Sequence, residues 1–330
     1  MMPCDAFVIA LLDEPTNEVE DVYLWDHNRR WSGDRHPGGE GLTDYIISSG
    51  KTLLVNEWDE SHSRLTHSNQ FGVAEQDTRS VIAVPLIRTD GRCFGMISAQ
   101  SYLANSYGLE DERLLATFAN QISEAIKNAQ LFDDLQRSNS ELSLAYDATI
   151  EGWSRAMDLR DKETEGHTLR VTELTLSVAR SIGLKEDELI HIRRGALLHD
   201  IGKLGVPDSI LFKSEDLTEA EWAIMRKHPA FAYEMLSSIA YLKPALVIPY
   251  CHHEHWDGNG YPSGLKEQEI PLAARIFAIG DVWDALTSDR PYRPAWTRQK
   301  SLEYIREQSG KYFDPKVVET FLNIVAKGIV

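Results

Sequence analysis

The sequence predicts a multidomain protein in which an α+β sheet domain is followed by an all-α helical bundle, the two joined by a long helix. Three observations predict it. At 330 residues the chain exceeds the usual span of one compact core. Apolar residues come in short strand-like runs up to about residue 103 and then recur at steps of three and four. Between Leu109 and Glu151 no Pro or Gly interrupts a helix. The sheet domain is read over 1–130, the connecting helix over 108–160, overlapping both neighbours, and the bundle over 145–330.

In chain order, the strands are Phe7 to Leu12, Val22 to Trp25, Thr52 to Val55, Ser80 to Ile87 and Cys93 to Ala99, with Asp90-Gly91 as the hairpin turn between the last two. A helix from Leu42 to Ser49 interrupts them and stops at Gly50. The long helix carries Leu114, Leu115, Phe118, Ile122, Ile126, Ala129, Leu131, Leu135, Leu142, Ala145 and Thr149. Its steps of four and three resemble a coiled-coil seam, which predicts a homodimer through this helix; the plainer reading is one amphipathic helix lying on its own domain. Beyond Ile150 the pattern is helical, with loops at Gly205-Val-Pro-Asp208, His228-Pro229, Gly258 to Gly264 and Arg290 to Pro294. No internal repeat is visible.

Hydrophobic residues make up 42% and charged residues 26%, as in an ordinary globular protein. The formal net charge of −17 disfavours attachment to a nucleic acid polymer or an anionic membrane, both of which need clustered Lys and Arg. A small anionic substrate stays open if bound metal ions supply a local positive centre. The three cysteines, Cys4, Cys93 and Cys251, form no CxxC pair, which suggests neither a disulfide frame nor a thiolate zinc site and fits a reducing cytoplasm. The longest apolar runs, Phe7 to Leu12 and Val81 to Ile87, fall short of the roughly 18 residues of a membrane span, and the N-terminus lacks a signal peptide's basic flank.

Chemistry concentrates in the histidines. Of eleven, seven lie between His167 and His255: His167, His191, His199, His228, His252, His253 and His255. Glu163 and His167 are four apart in a predicted helix, which puts both on one face, where they can share a metal. His199-Asp200 closes the apolar segment Gly195 to Leu198, His228 precedes Pro229 at a helix start, and His252-His253 follows the apolar stretch Ala245 to Ile248. Taken singly, a His on an apolar face is ordinarily a satisfied core or surface residue, and a His-Asp pair can be a cap. The set argues otherwise. Asp281 interrupts the apolar helix Ala274 to Gly280, and a buried carboxylate there is costly without a partner, while imidazoles stand at several other helix ends. Together they favour a metal cluster.

His199-Asp200-Ile-Gly-Lys203, His252-His253-Glu254, Gly258-Asn-Gly-Tyr-Pro262, and Asp281 followed by Arg290-Pro-Tyr-Arg293 resemble, in order and spacing, the HD-GYP domain of the HD phosphohydrolase superfamily, from about residue 145 to 330. The resemblance implies hydrolysis of cyclic di-GMP to linear pGpG or GMP at a metal centre. It implies His167, His199, Asp200, His228, His252, His253 and Asp281 as metal ligands, with Asp200 bridging two ions. A carboxylate at Glu163 resembles the subset able to hold a third ion; otherwise Glu163 is a solvated helix residue. Two such ions activate a bridging hydroxide and hold the phosphate for in-line displacement. Imidazole and carboxylate ligands suit iron, manganese or zinc, and the resemblance points to iron, then manganese. The resemblance implies Asp200 and Lys203 as the catalytic residues.

Lys203 would bring an ammonium near the phosphate, and Arg290 and Arg293 would grip its oxygens as forks, unless they pair with Asp284 or Asp289 instead. Tyr261 would border the entrance on a glycine-rich loop that the family also links with partner proteins. Trp256, Trp283 and Trp296 can stack on guanine but serve more often as core; Cys251 reads as a small buried residue.

Residues 1 to about 130 resemble a GAF domain, through Tyr23-Leu-Trp-Asp26, Gly39-Glu-Gly-Leu42, Ser80 to Leu86, Gly95 to Gln100 and the closing helix through Asn120 to Ile126. Such domains bind small molecules or dimerise. The ligand is not legible: no Cys has a chromophore-attachment context, and His36, His62 and His67 lie in polar loops. Beside a regulated cyclic di-GMP phosphodiesterase, two other readings stand, an HD-type di-iron oxygenase and a non-catalytic receptor for the dinucleotide. Lys203, Arg290 and Arg293 argue against the first, and the intact ligand set against the second.

Overall fold

The computed structural model of the chain describes residues 2–39, 41–65, 77–161, 166–289 and 294–328. It divides into two compact units, Met1–Asn139 and Ser140–Val330. Among the described residues no helix is long and apolar enough to cross a membrane.

The first unit is an antiparallel sheet. Its strands are β1 (Ala6–Asp13), β2 (Glu18–Asp26), β3 (Arg29–Trp31), β4 (Arg35–Pro37), β5 (Leu53–Val55), β6 (Ser80–Ile87) and β7 (Cys93–Ser101), in the order β3-β2-β1-β7-β6-β5, with β4 also on β2. Alternation sorts the side chains onto two faces. Val8, Ala10, Val81, Ala83 and Met96 form one core with Ile46 of α1 (Leu42–Ser49), which ends where Gly50 turns left-handed at φ 61° and donates its N–H to the Ile46 carbonyl. Ile82, Val84, Leu86, Ile97 and Ala99 form the other with Leu115 and Ala119 of α2 (Leu109–Asp161). The two strands that the sequence pattern does not mark, β3 and β4, are three residues each and too polar and short to alternate.

The second unit is helical: the end of α2, then α3 (His167–Ile182), α4 (Glu186–Leu197), α5 (Asp208–Leu211), α6 (Glu219–Met225), α7 (His228–Leu236), α8 (Val247–Cys251), α9 (Leu272–Thr287), α10 (Arg298–Glu307) and α11 (Pro315–Ala326). Its main core joins Val171, Leu174 and Val178 of α3 to Ile276, Phe277 and Ile279 of α9 and Phe321 of α11. Near the end of α2, Ile150 packs on Leu197, Leu198 and Ile201, and Asp147 accepts from the buried Arg194 Nε at 2.7 Å. Gly166, at φ 75°, turns left-handed immediately before α3 and caps its start at His167. Glu163 lies outside the described residues.

Candidate metal centre

Five elements deliver the side chains: His167 opens α3, His199 and Asp200 follow α4, His228 opens α7, His252 and His253 follow α8, and Asp281 lies in α9. Backbone contact at Gly202 lets two of these segments meet. A Cβ there would fall 1.8 Å from the His228 carbonyl oxygen, so only glycine allows the Asp200 turn to press against α7. The ring of Phe277, fully buried in α9, forms the floor beneath His199 at 4.8 Å between centroids.

Two groups result, each with ligand-capable atoms within 4.8 Å of one another: His167, His199 and Asp281, and His228, His252 and His253. Asp200 joins them. Its Oδ2 lies 3.0 Å from His199 Nε2 in the first, and its Oδ1 lies 3.5 Å from His228 Nε2 and 3.9 Å from His252 Nε2 in the second.

The imidazoles are oriented from behind. His199 Nδ1–H donates to the Ala196 carbonyl at 2.8 Å, His228 Nδ1–H to that of Met225 at 2.8 Å, and His252 Nδ1–H to those of Ile248 and Pro249 at 3.1 Å. His167 Nδ1–H donates to Asp284 at 2.7 Å. Each ring therefore turns an Nε2 lone pair into the pocket. Those of His228 and His252 face each other at 3.4 Å with both Nδ1 protons already used. Two opposed lone pairs in a buried site call for a shared electrophile, and a divalent cation fits this donor set.

The electrostatics point the same way. Burial, with the charges of His228 and His199, pushes His252 down to about 3. Burial also carries His253 well below, and His228 below, the ordinary imidazole value, so this trio is neutral and ready to ligate at pH 7. At His199 burial pulls down too, but Asp200 prevails and the value rises. Burial works to raise Asp200 and Asp281, yet His199 and Lys203 hold Asp200 well below the carboxylate range and His167 and His199 lower Asp281.

Around this pocket stand residues to which the sequence reading gave no role at the metal site. Asp284, three residues after Asp281 on the same helix face, binds His167 and also takes Arg170 Nε at 2.6 Å and Nη2 at 2.9 Å. The i, i+3 spacing was the available signal. Glu254 is 2% exposed; its Oε1 accepts from Ser263 N at 2.8 Å and its Oε2 from Leu265 N at 3.0 Å, which staples the glycine-rich loop to the His252-His253 turn. A Cβ on Gly260 would lie 2.3 Å from His255 N, so the loop crosses that backbone closely. Tyr261 is thereby set on His253, with ring centroids 4.6 Å apart. Lys203 Nζ lies 2.8 Å from Asp200 Oδ2 and 2.5 Å from Asp161 Oδ2.

Other candidates fall elsewhere. Arg290 and Arg293 lie outside the described residues, as does His67. His191 and His255 belong to neither group, His255 packing on Tyr312 at 3.8 Å. Trp283 sits in the core against Phe321, Trp256 lies under Arg275, and Trp296 under Lys300. Cys251 is buried, its thiol pushed up to about 12 chiefly by burial.

Fold and pocket define a helical bundle built around two adjoining groups of metal-capable side chains, preceded by a sheet domain. Residues 152–317 match the family model described as the HD domain, and residues 1–126 match that of the GAF domain. The chain belongs to the HD domain family, in agreement with the HD-GYP resemblance of its motifs.

Among curated relatives, the cyclic di-GMP phosphodiesterase response regulator RpfG of Xanthomonas campestris is 40% identical over 206 residues, 61% of this chain and 54% of that protein. The 3'3'-cGAMP-specific phosphodiesterase 2 of Vibrio cholerae is 38% identical over 214 residues, 64% of this chain and 40% of its own. The 3'3'-cGAMP-specific phosphodiesterase 1 of the same organism is 33% identical over 316 residues, covering 93% of this chain and 66% of that one. The chain thus spans 40% to 66% of these relatives' length.

Proposed function

We propose that the chain is a metal-dependent phosphodiesterase that hydrolyses a cyclic dinucleotide, cyclic di-GMP first, to pGpG or GMP. The observation that carries this reading is Asp200, whose two carboxylate oxygens face two separate imidazole groups. His167, His199 and Asp281 would hold one divalent ion and His228, His252 and His253 another, iron by preference and then manganese, with Asp200 between them. When bound, such ions polarise a phosphodiester and acidify water.

The chain's own groups do the rest. Nδ1 bonds keep His167, His199, His228 and His252 aimed, and burial keeps His228, His252 and His253 neutral, so the ligand set is preorganised. Lys203 offers its ammonium to the phosphate, Tyr261 borders the entrance, and Arg290 and Arg293 would grip phosphate oxygens. His167, His199, His228 and His252 are 1–2% exposed, whereas Asp200, His253, Asp281 and Tyr261 are half-buried, so substrate would enter on their side. Glu163 would add a ligand for a third ion. The relatives' names support the substrate class, and the match to a cGAMP-specific enzyme over 93% of this chain supports a mixed guanine-adenine dinucleotide as the second substrate to try.

The sheet domain would regulate turnover through α2, in a homodimer. Along α2 the exposed Leu114, Phe118, Phe132, Leu135, Leu142 and Tyr146 fall on one line of alternating four- and three-residue steps, completed by Gln121, Ala125, Asn128 and Asn139. The charged Lys127, Asp133, Asp134, Arg137 and Glu141 lie off that line. An apolar seam cleared of charge suits a second copy of the same helix. The three free cysteines support a cytoplasmic setting.

Asp200→Ala tests the reading: it should abolish turnover of cyclic di-GMP and remove most bound metal. Retained activity excludes this site.

A further inference from the structure

One strong contact at the site belongs to neither metal group. Asp161, the last residue of α2, accepts from Lys203 Nζ at 2.5 Å and is largely enclosed, its side chain 10% exposed. Lys203 also bonds Asp200, but the Asp200 oxygens are the ones that face the three imidazole Nε2 atoms and would be drawn to cations. An ammonium on a flexible four-carbon stem needs a second anchor to stay in one place.

The end of α2 is built to be that anchor. Asp158, one turn earlier, accepts from Thr168 Oγ1 at 2.7 Å, next to His167. Arg160 Nη2 donates to Asp208 at 2.8 Å and Nη1 to the Leu204 carbonyl at 3.3 Å, which ties the same turn to the segment after Lys203. A cavity of about 10 Å³, room for about one water, separates Met157, Asp158 and Asp161 from His199 and Asp200. The last turn of α2 is therefore a wall of the site.

We propose that Asp161 is a positioning residue for Lys203: its carboxylate, delivered by the last turn of α2, holds the ammonium where the phosphodiester is bound. The inference rests on the phosphodiesterase reading, in which Lys203 meets the phosphate. It gives α2 a direct hold on the chemistry, since a displacement of that turn carries the ammonium with it.

The test uses the full metal-loaded chain and a hydrolysis-resistant phosphorothioate analogue of cyclic di-GMP. Affinity for the analogue, kcat, metal content and melting temperature are measured for the wild type, Asp161→Ala, Asp161→Glu, Lys203→Ala and the double alanine variant. Losing a hydrogen bond to a charged group should weaken analogue binding about tenfold in each single alanine variant. The double variant should be no worse than Lys203→Ala, because Asp161 acts only through the lysine. Asp161→Glu should recover part of the loss, and metal content and melting temperature should hold. Additive losses, or loss of metal in Asp161→Ala, overturn the proposal. Wild-type turnover and binding by Lys203→Ala would instead overturn the role of the lysine itself, whatever Asp161→Ala does.

Discussion

His167 Nδ1–H donates to Asp284 Oδ2 at 2.7 Å, and this bond turns His167 Nε2 toward Asp281 Oδ1, 3.3 Å away. Burial works to raise the Asp284 carboxyl, but His167 and Arg170 prevail and hold it down to about 2. The result is a carboxylate ionised at neutral pH behind a candidate ligand imidazole, which fixes its tautomer and raises its basicity. Two residues three apart on α9 thus divide the labour, Asp281 facing the pocket and Asp284 facing the back of the ring.

Asp284→Ala should therefore leave the fold standing and loosen one metal group. Arg170, 45% exposed in its side chain, can be rehydrated. Metal affinity at the His167 group should drop about 10- to 100-fold, read by titrating metal-free protein with manganese; an unchanged affinity would mean that the ring needs no orientation.

The metal-free protein should lose stability as it is acidified from pH 7 to 5. His228, His252 and His253 have lowered values in the fold, so below about 6.5 the unfolded chain takes up protons there that the folded chain refuses. Each such proton is worth about 1.4 kcal/mol per pH unit. His199, raised by Asp200, acts in the opposite sense: it adds stability below about 6.5 that is lost as pH rises through its folded value. Three outweigh one. Melting scans at fixed ionic strength should show a falling midpoint with acid; a rising one would contradict the neutral trio.

Leu135→Lys places a charge in the middle of the α2 seam, at a residue 68% exposed in the single chain. Sedimentation should show a dimer for the wild type and a dissociation constant raised at least about tenfold for the variant. Equal behaviour would leave α2 a solitary helix.

How far these features could be read from sequence differs by kind. The helix Leu42–Ser49 is legible because Gly50 ends it, and α2 because no Pro or Gly falls between Leu109 and Glu151. The short strands β3 and β4 are not, since Arg29-Arg30-Trp31 and Arg35-His36-Pro37 carry no alternation and are held by pairing to β2. The motif histidines stand out by their aspartate and glycine neighbours. Asp284, Asp161 and Glu254 do not, because what defines them is a partner 117, 42, or 9 and 11 residues away along the chain. Glu163 lies outside the described residues, and beside it Gly166 caps a helix that opens at His167.

The central claim is that the shared Asp200 and its two imidazole groups hold cations that cleave a cyclic dinucleotide. Protein purified without oxygen should carry at least two divalent metal ions per chain by elemental analysis, and should convert cyclic di-GMP to pGpG or GMP by chromatography, with chelation abolishing turnover and metal restoring it. A chain that binds no metal, or a fully loaded one that leaves both cyclic di-GMP and its mixed guanine-adenine counterpart intact, would contradict it.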